Sequence, residues 1–106
     1  MYVFLKARGP RSTFQFDATP EERAIMGRHV AYWAELGSRG ISIVFGPVLD
    51  PAWAYGVGIY RVEDQAHMER LVAADPARAL LSYEIFEFPH PVFAPALAER
   101  LESTVP

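Results

Sequence analysis

Between Thr19 and Gly40 the chain carries a helix whose start, apolar stripe and stop are all set by local chemistry. Every other segment must be arranged around it. Thr19-Pro20-Glu21-Glu22 supplies an N-cap hydroxyl, a proline at the first helical position and a capping-box glutamate. Ile25, Met26, His29, Tyr32, Trp33 and Leu36 then recur at spacings of three and four, which puts them on one face. Gly37 and Gly40 end the helix.

The flanking runs read as strands. Tyr2-Val3-Phe4-Leu5 is β-branched and aromatic, and closes through Lys6-Ala7-Arg8 at the Gly9-Pro10 turn. Residues 9–18 form a connecting loop, long enough to act as a lid. Ile41 to Val48 and Ala54 to Val62 are two further strands, separated by the Asp50-Pro51-Ala52 turn. In the second of these, Tyr55, Val57 and Ile59 share one face, and Gly56, Gly58 and Tyr60 the other. Glycines so placed let an aromatic ring or another backbone approach the strand. Asp64 caps a second helix that buries Met68, Leu71 and Val72 and ends near Asp75, because Pro76 disfavours helical geometry before it. Leu81 to Phe88 is the fourth strand, and the proline-broken tail 89–106 leaves room for a short helix over 96–102.

The order β-α-β-β-α-β predicts an α+β fold of ferredoxin-like type. Right-handed crossovers put both helices on one face of a four-stranded antiparallel sheet. One domain over 1–106, with its core in 1–88, is the expectation for this length. Val3, Leu5, Ile43, Ile59 and Ile85 are the expected inward set, leaving Phe4, Val44, Tyr60, Phe86 and Phe88 on the bare face. A monomer would make that face polar. The chain is instead 51% hydrophobic and 13% aromatic, a surplus beyond what one small core uses. A homodimer packed sheet to sheet accounts for it, with the tail as a competing cover.

Charge and composition exclude several functions. Ten basic and thirteen acidic residues, net −3, form no basic stripe, so nucleic acid is not expected as a partner. The absence of cysteine removes disulfides, thiolate nucleophiles and Cys-based metal sites. The run from Tyr2 to Leu5 is too short for a signal-peptide core, and no stretch approaches a membrane span, so a cytoplasmic protein is expected.

His29 is the first candidate for chemistry, because it sits in the apolar stripe with Tyr32 and Trp33 one turn on. It reads either as a core histidine bonded to a carbonyl or as a base, and a base needs a partner that fixes its tautomer. Asp75 can be that partner, since antiparallel helices bring the end of the second toward the first. Asp75-Pro76 equally reads as a helix-ending turn. No HxH or HExxH pattern exists, so no metal site is expected. No helix follows Gly56 and Gly58 closely enough for a phosphate loop, and no cofactor is expected. His67 and His90 read as surface residues, and Arg8 and Arg11 as possible contacts for an anionic ligand.

Thr19-Pro20-Glu21-Glu22-Arg23, His29-Val30-Ala31-Tyr32-Trp33, Gly46-Pro47-Val48 and Ala74-Asp75-Pro76, in that order and spacing, resemble the YCII-related (YciI-like) family. The resemblance implies a ferredoxin-like domain that dimerises into an α/β-barrel-like assembly. It also implies a site built on His29 and Asp75. Lyase or isomerase chemistry follows from it, on a small aromatic or enol-like compound held near Tyr32, Trp33 and Arg8. The alternative is a non-catalytic small-molecule-binding or accessory module.

Overall fold

The structure is a computed structural model that describes residues 1–104, with side chains through residue 100. Strand β1 (Tyr2–Arg8) leads through a short helix α1 (Phe14–Asp17) to the long helix α2 (Pro20–Ser38). Strands β2 (Ser42–Val48) and β3 (Tyr55–Arg61), helix α3 (Gln65–Ala73), strand β4 (Ser82–Glu87) and helix α4 (Pro95–Thr104) follow. The strands form one antiparallel sheet in the order β2-β3-β1-β4, so the fold is the ferredoxin-like α+β arrangement.

Helix α2 starts as its sequence dictates. The Thr19 hydroxyl accepts from the Glu22 N–H at 3.1 Å, and the Glu22 carboxylate accepts from the Thr19 N–H at 2.9 Å. Past its end, Gly40 takes φ +80, a left-handed conformation that favours glycine. Asp64 caps α3 by accepting from the His67 N–H at 2.8 Å. The 9–18 segment is more ordered than a plain loop, because α1 folds within it. Thr13 bonds Asp17 at 2.6 Å, and Arg11 bonds both Asp17 and Glu22, which fastens α1 to the start of α2.

The core lies between the helices and one sheet face, around Val3, Leu5, Trp33, Tyr60, Met68 and Val72. On β3 the facing differs from the sequence expectation. Tyr60 is opposite Val3 and 3% exposed, whereas Ile59 is opposite Phe4 on the bare face. The cause is Gly58: the Tyr60 ring lies back over it, where a Cβ would fall inside the phenol. An aromatic ring therefore enters a space that an aliphatic residue was expected to fill. On β2, an irregularity between Ser42 and Val44 removes Ile43 from the register. Phe45 packs on the core instead, and the Ser42 hydroxyl donates to the Trp33 carbonyl at 2.8 Å. Phe4, Val44 and Phe86 keep their outward positions, and Val44 and Phe86 are 59% and 48% exposed. The tail reaches the bare face at Tyr2, where Phe93 packs with ring centroids 5.4 Å apart.

Candidate active site

Asp75 lies just past the end of α3 and is 3% exposed, the one buried charged side chain among the described residues. A buried carboxylate is stable only if its lone pairs are used. Here four donors use them. Oδ1 accepts from the Ala77 N–H at 2.8 Å, which closes the turn expected of an Asp-Pro step. Oδ2 accepts from the Trp33 indole N–H at 2.8 Å and the Tyr83 hydroxyl at 2.6 Å, and lies 2.7 Å from His29 Nδ1. The two readings of Asp75 thus hold together, one on each oxygen.

Burial alone would raise the Asp75 pKa. The hydrogen bonds from His29, Tyr83, the Ala77 N–H and Trp33 outweigh it and hold the group down at about 2. The carboxylate is therefore ionised at neutral pH and can only accept. That places the hydrogen of the His29–Asp75 bond on Nδ1, so that whenever the ring is neutral its lone pair is on Nε2. Tyr83 moves the other way, its phenol pushed well above the ordinary range by burial and by the bond to Asp75.

His29 borders an open, mostly apolar cavity of about 430 Å³ between the first half of α2 and the sheet. The sheet side is made by Ala7, Pro47, Gly56 and Tyr60 and the helix side by Met26 and Val30, and Phe14 of α1 also lines it. Burial raises the Tyr60 pKa, and so keeps that phenol protonated beside the cavity. Arg11 also lines the cavity, but its guanidinium is engaged by Asp17 at 2.8 Å and by both Glu22 oxygens at 2.8 and 3.0 Å.

The expected site residues separate into two groups. His29, Asp75 and Trp33 meet; Tyr32 and Arg8 stand apart. Trp33 is fully buried and does not border the cavity, because its indole holds Asp75 and packs on Tyr60 with centroids 4.7 Å apart. Its place is one layer behind the cavity wall, not against a ligand. Tyr32 donates its hydroxyl to the Leu71 carbonyl at 2.6 Å and so ties α2 to α3. Arg8 ends β1 on the face opposite Ala7, with its guanidinium 5.7 Å from the Trp53 ring and 5.9 Å from the Tyr55 ring. Strand alternation puts it on the sheet face away from His29. Sequence reasoning missed Tyr83. Its trace was there: two residues before inward-facing Ile85, it is a polar-tipped aromatic on the core side, which needs a partner for its hydroxyl.

Among the described residues no cluster of three or more His, Asp or Glu could hold a metal ion. No helix of the described residues is long and apolar enough to cross a membrane.

A ferredoxin-like domain with a carboxylate-held histidine at an apolar cavity is the class that this geometry defines. Residues 1–89 match the YCII-related domain, and the chain belongs to that family. No curated protein matches the chain. Among solved structures it is similar to 5-chloro-2-hydroxyhydroquinone dehydrochlorinase from Burkholderia phenoliruptrix AC1100, in complex with 2,5-dihydroxybenzoquinone. That match has a TM-score of 0.61 at 20% identity and covers 84% of this chain and 95% of that one. A mutant of SnoaB, a cofactor-independent oxygenase from Streptomyces nogalater, has a TM-score of 0.49 at 14% identity, over 86% and 95% of the two chains.

Proposed function

We propose that this chain is an enzyme of lyase or isomerase type in which His29, held by Asp75, acts as general base on a small aromatic or enol-like compound. One observation carries the proposal. Of the four groups that donate to Asp75, only His29 also lines the cavity. The other three hold the carboxylate still, so the ionised Asp75 orients one ring toward one space. Nε2 takes a proton from a bound C–H or O–H, and the released electron pair forms an enolate or expels a leaving group from the adjacent carbon. The imidazolium that results is stabilised by Asp75 and returns the proton to product or to water. The Tyr60 hydroxyl, kept protonated by burial, is the donor beside the cavity for a developing oxyanion. The fold neighbour from Burkholderia, which holds a dihydroxybenzoquinone, is the reason for starting with hydroxyquinones.

The same reading makes the chain a homodimer, packed through the face that carries Phe4, Val44 and Phe86. Val44 and Phe86 are half-exposed there and have no charged replacement on the same register. The test of the catalytic claim is His29→Ala assayed on hydroxyquinones, halogenated hydroquinones and enolisable ketones by absorbance and halide release. Loss of a positioned base lowers turnover by about 10²–10⁴-fold. Turnover retained in a folded His29→Ala protein overturns the catalytic claim and leaves the cavity a binding site.

A further inference from the structure

We infer that the cavity takes a flat aromatic of two or three fused rings that carries no carboxylate, and that Gly56 sets that size limit. The inference rests on the proposed function only in placing the ligand hydroxyl at His29. Size comes first. At about 430 Å³ the cavity is well beyond the roughly 150 Å³ in which a protein holds one benzene. A single ring would leave most of the apolar wall uncovered.

Shape comes from the sheet register. Ala7 on β1 pairs with Gly56 on β3, and Gly56 pairs with Pro47 on β2. These residues form one row across three strands on the helix side, with nothing larger than a methyl group and a proline ring standing up from the sheet. Two strand spacings make that floor roughly 10 Å wide. The next row, Leu5, Gly58 and Phe45, is closed by the Tyr60 ring lying over Gly58 and forms a wall. Met26 and Val30 form the roof. A flat floor under an apolar roof fits a planar ring system better than a branched one.

Charge comes from Arg11. It is the only Lys or Arg among the described lining residues, and Asp17 and Glu22 already occupy its guanidinium. A carboxylate on the ligand would lose its water in an apolar space without gaining a cation. Neutral ring systems are therefore favoured over their carboxylated forms.

Gly56 is the residue through which this can be tested. A Cβ at 56 would meet only the Ala7 carbonyl oxygen at 3.9 Å, an ordinary contact, and its φ is not positive. Valine suits a strand, so Gly56→Val leaves the sheet intact and places two methyl groups in the ligand's space. The experiment is a fluorescence-competition titration of the full chain with 2-naphthol, phenol and 6-hydroxy-2-naphthoic acid. Burying the second ring predicts that 2-naphthol binds about tenfold or more tightly than phenol, and that the carboxylated naphthol is weaker than 2-naphthol by a similar factor. Gly56→Val should lose about tenfold for 2-naphthol and far less for phenol, with circular dichroism and Tm unchanged. If that variant fails to fold, Val30→Trp narrows the cavity from an exposed helix position and must give the same ordering. Equal affinities for phenol and 2-naphthol overturn the inference, as does preference for the carboxylated form or indifference to both variants. His29→Ala separates the two claims. Tight naphthol binding without turnover of any substrate sinks the catalytic reading alone; turnover confined to single-ring compounds sinks the size limit alone.

Discussion

Asp75 is the residue on which the site turns, because one side chain closes a turn, holds a tryptophan and a tyrosine, and orients a histidine. Either orientation of an asparagine in its place would set an NH₂ against a donor: the Ala77 N–H on one side, or His29, Trp33 and Tyr83 on the other. Asp75→Asn is therefore expected to destabilise the fold by roughly 1–3 kcal/mol, read from denaturant midpoints, and to abolish turnover even though His29 is still present. Tyr83→Phe removes one donor to the charged carboxylate and is expected to cost roughly 1.5–3 kcal/mol, a loss that Tyr32→Phe, whose hydroxyl meets only a neutral carbonyl, should not equal. At this scale the sequence was partly legible. His29 and Asp75 could be named from helix phase and an Asp-Pro step. The inward hydroxyl of Tyr83 could not be assigned without the register of β4 on β1. Helical spacing put Trp33 and Tyr32 on the face of His29 without saying which residues on it reach the cavity and which, like Trp33, lie behind it.

At the scale of elements, α2 was fully legible, since its cap, stripe and stop are local. Thr19→Ala removes half of the capping box and is expected to lower stability by about 1 kcal/mol in thermal or urea unfolding. The strands were legible as strands but not in their facing. Alternation alone leaves two choices of face, and the ranking of aliphatics as inward chose wrongly on β3, where Gly58 makes room for Tyr60. The β2 irregularity is equally invisible to alternation, because one extra residue reverses the phase without changing composition. Gly58→Ala tests this packing. A methyl group there meets the Tyr60 phenol, so the variant should lose stability, and binding of a cavity probe should weaken as that ring is displaced. The helix α1 was missed because its hold is tertiary, through Arg11 and the N-terminal turn of α2.

For the whole molecule, the depressed pKa of Asp75 fixes a pH dependence of definite sign. Its folded value of about 2 lies below the ordinary 3.8, so the unfolded chain binds the proton more readily. The stability this confers is present above pH 4 and is lost as pH falls from about 4 to about 2, an amount on the order of 2 kcal/mol. Asp75→Asn should show a shallower loss of stability than the parent across that window in acid titrations followed by circular dichroism. The bare sheet face makes a second prediction at this scale. Phe86→Glu places a charge among Phe4 and Val44 and should convert a dimer to a monomer in light scattering, with the helical signal retained. A parent protein that is already monomeric at micromolar concentration contradicts the dimer.

The central claim is that Asp75 fixes His29 in the tautomer that offers Nε2 to the cavity. A long-range ¹H–¹⁵N correlation spectrum of labelled protein, taken at a pH where the ring is neutral, reads this directly. The account predicts a His29 ring protonated on Nδ1, with an Nε2 resonance that moves when a hydroxylated aromatic is added and the resonances of His67 and His90 left in place. A ring protonated on Nε2, or one indifferent to every ligand that fills the cavity, would contradict it.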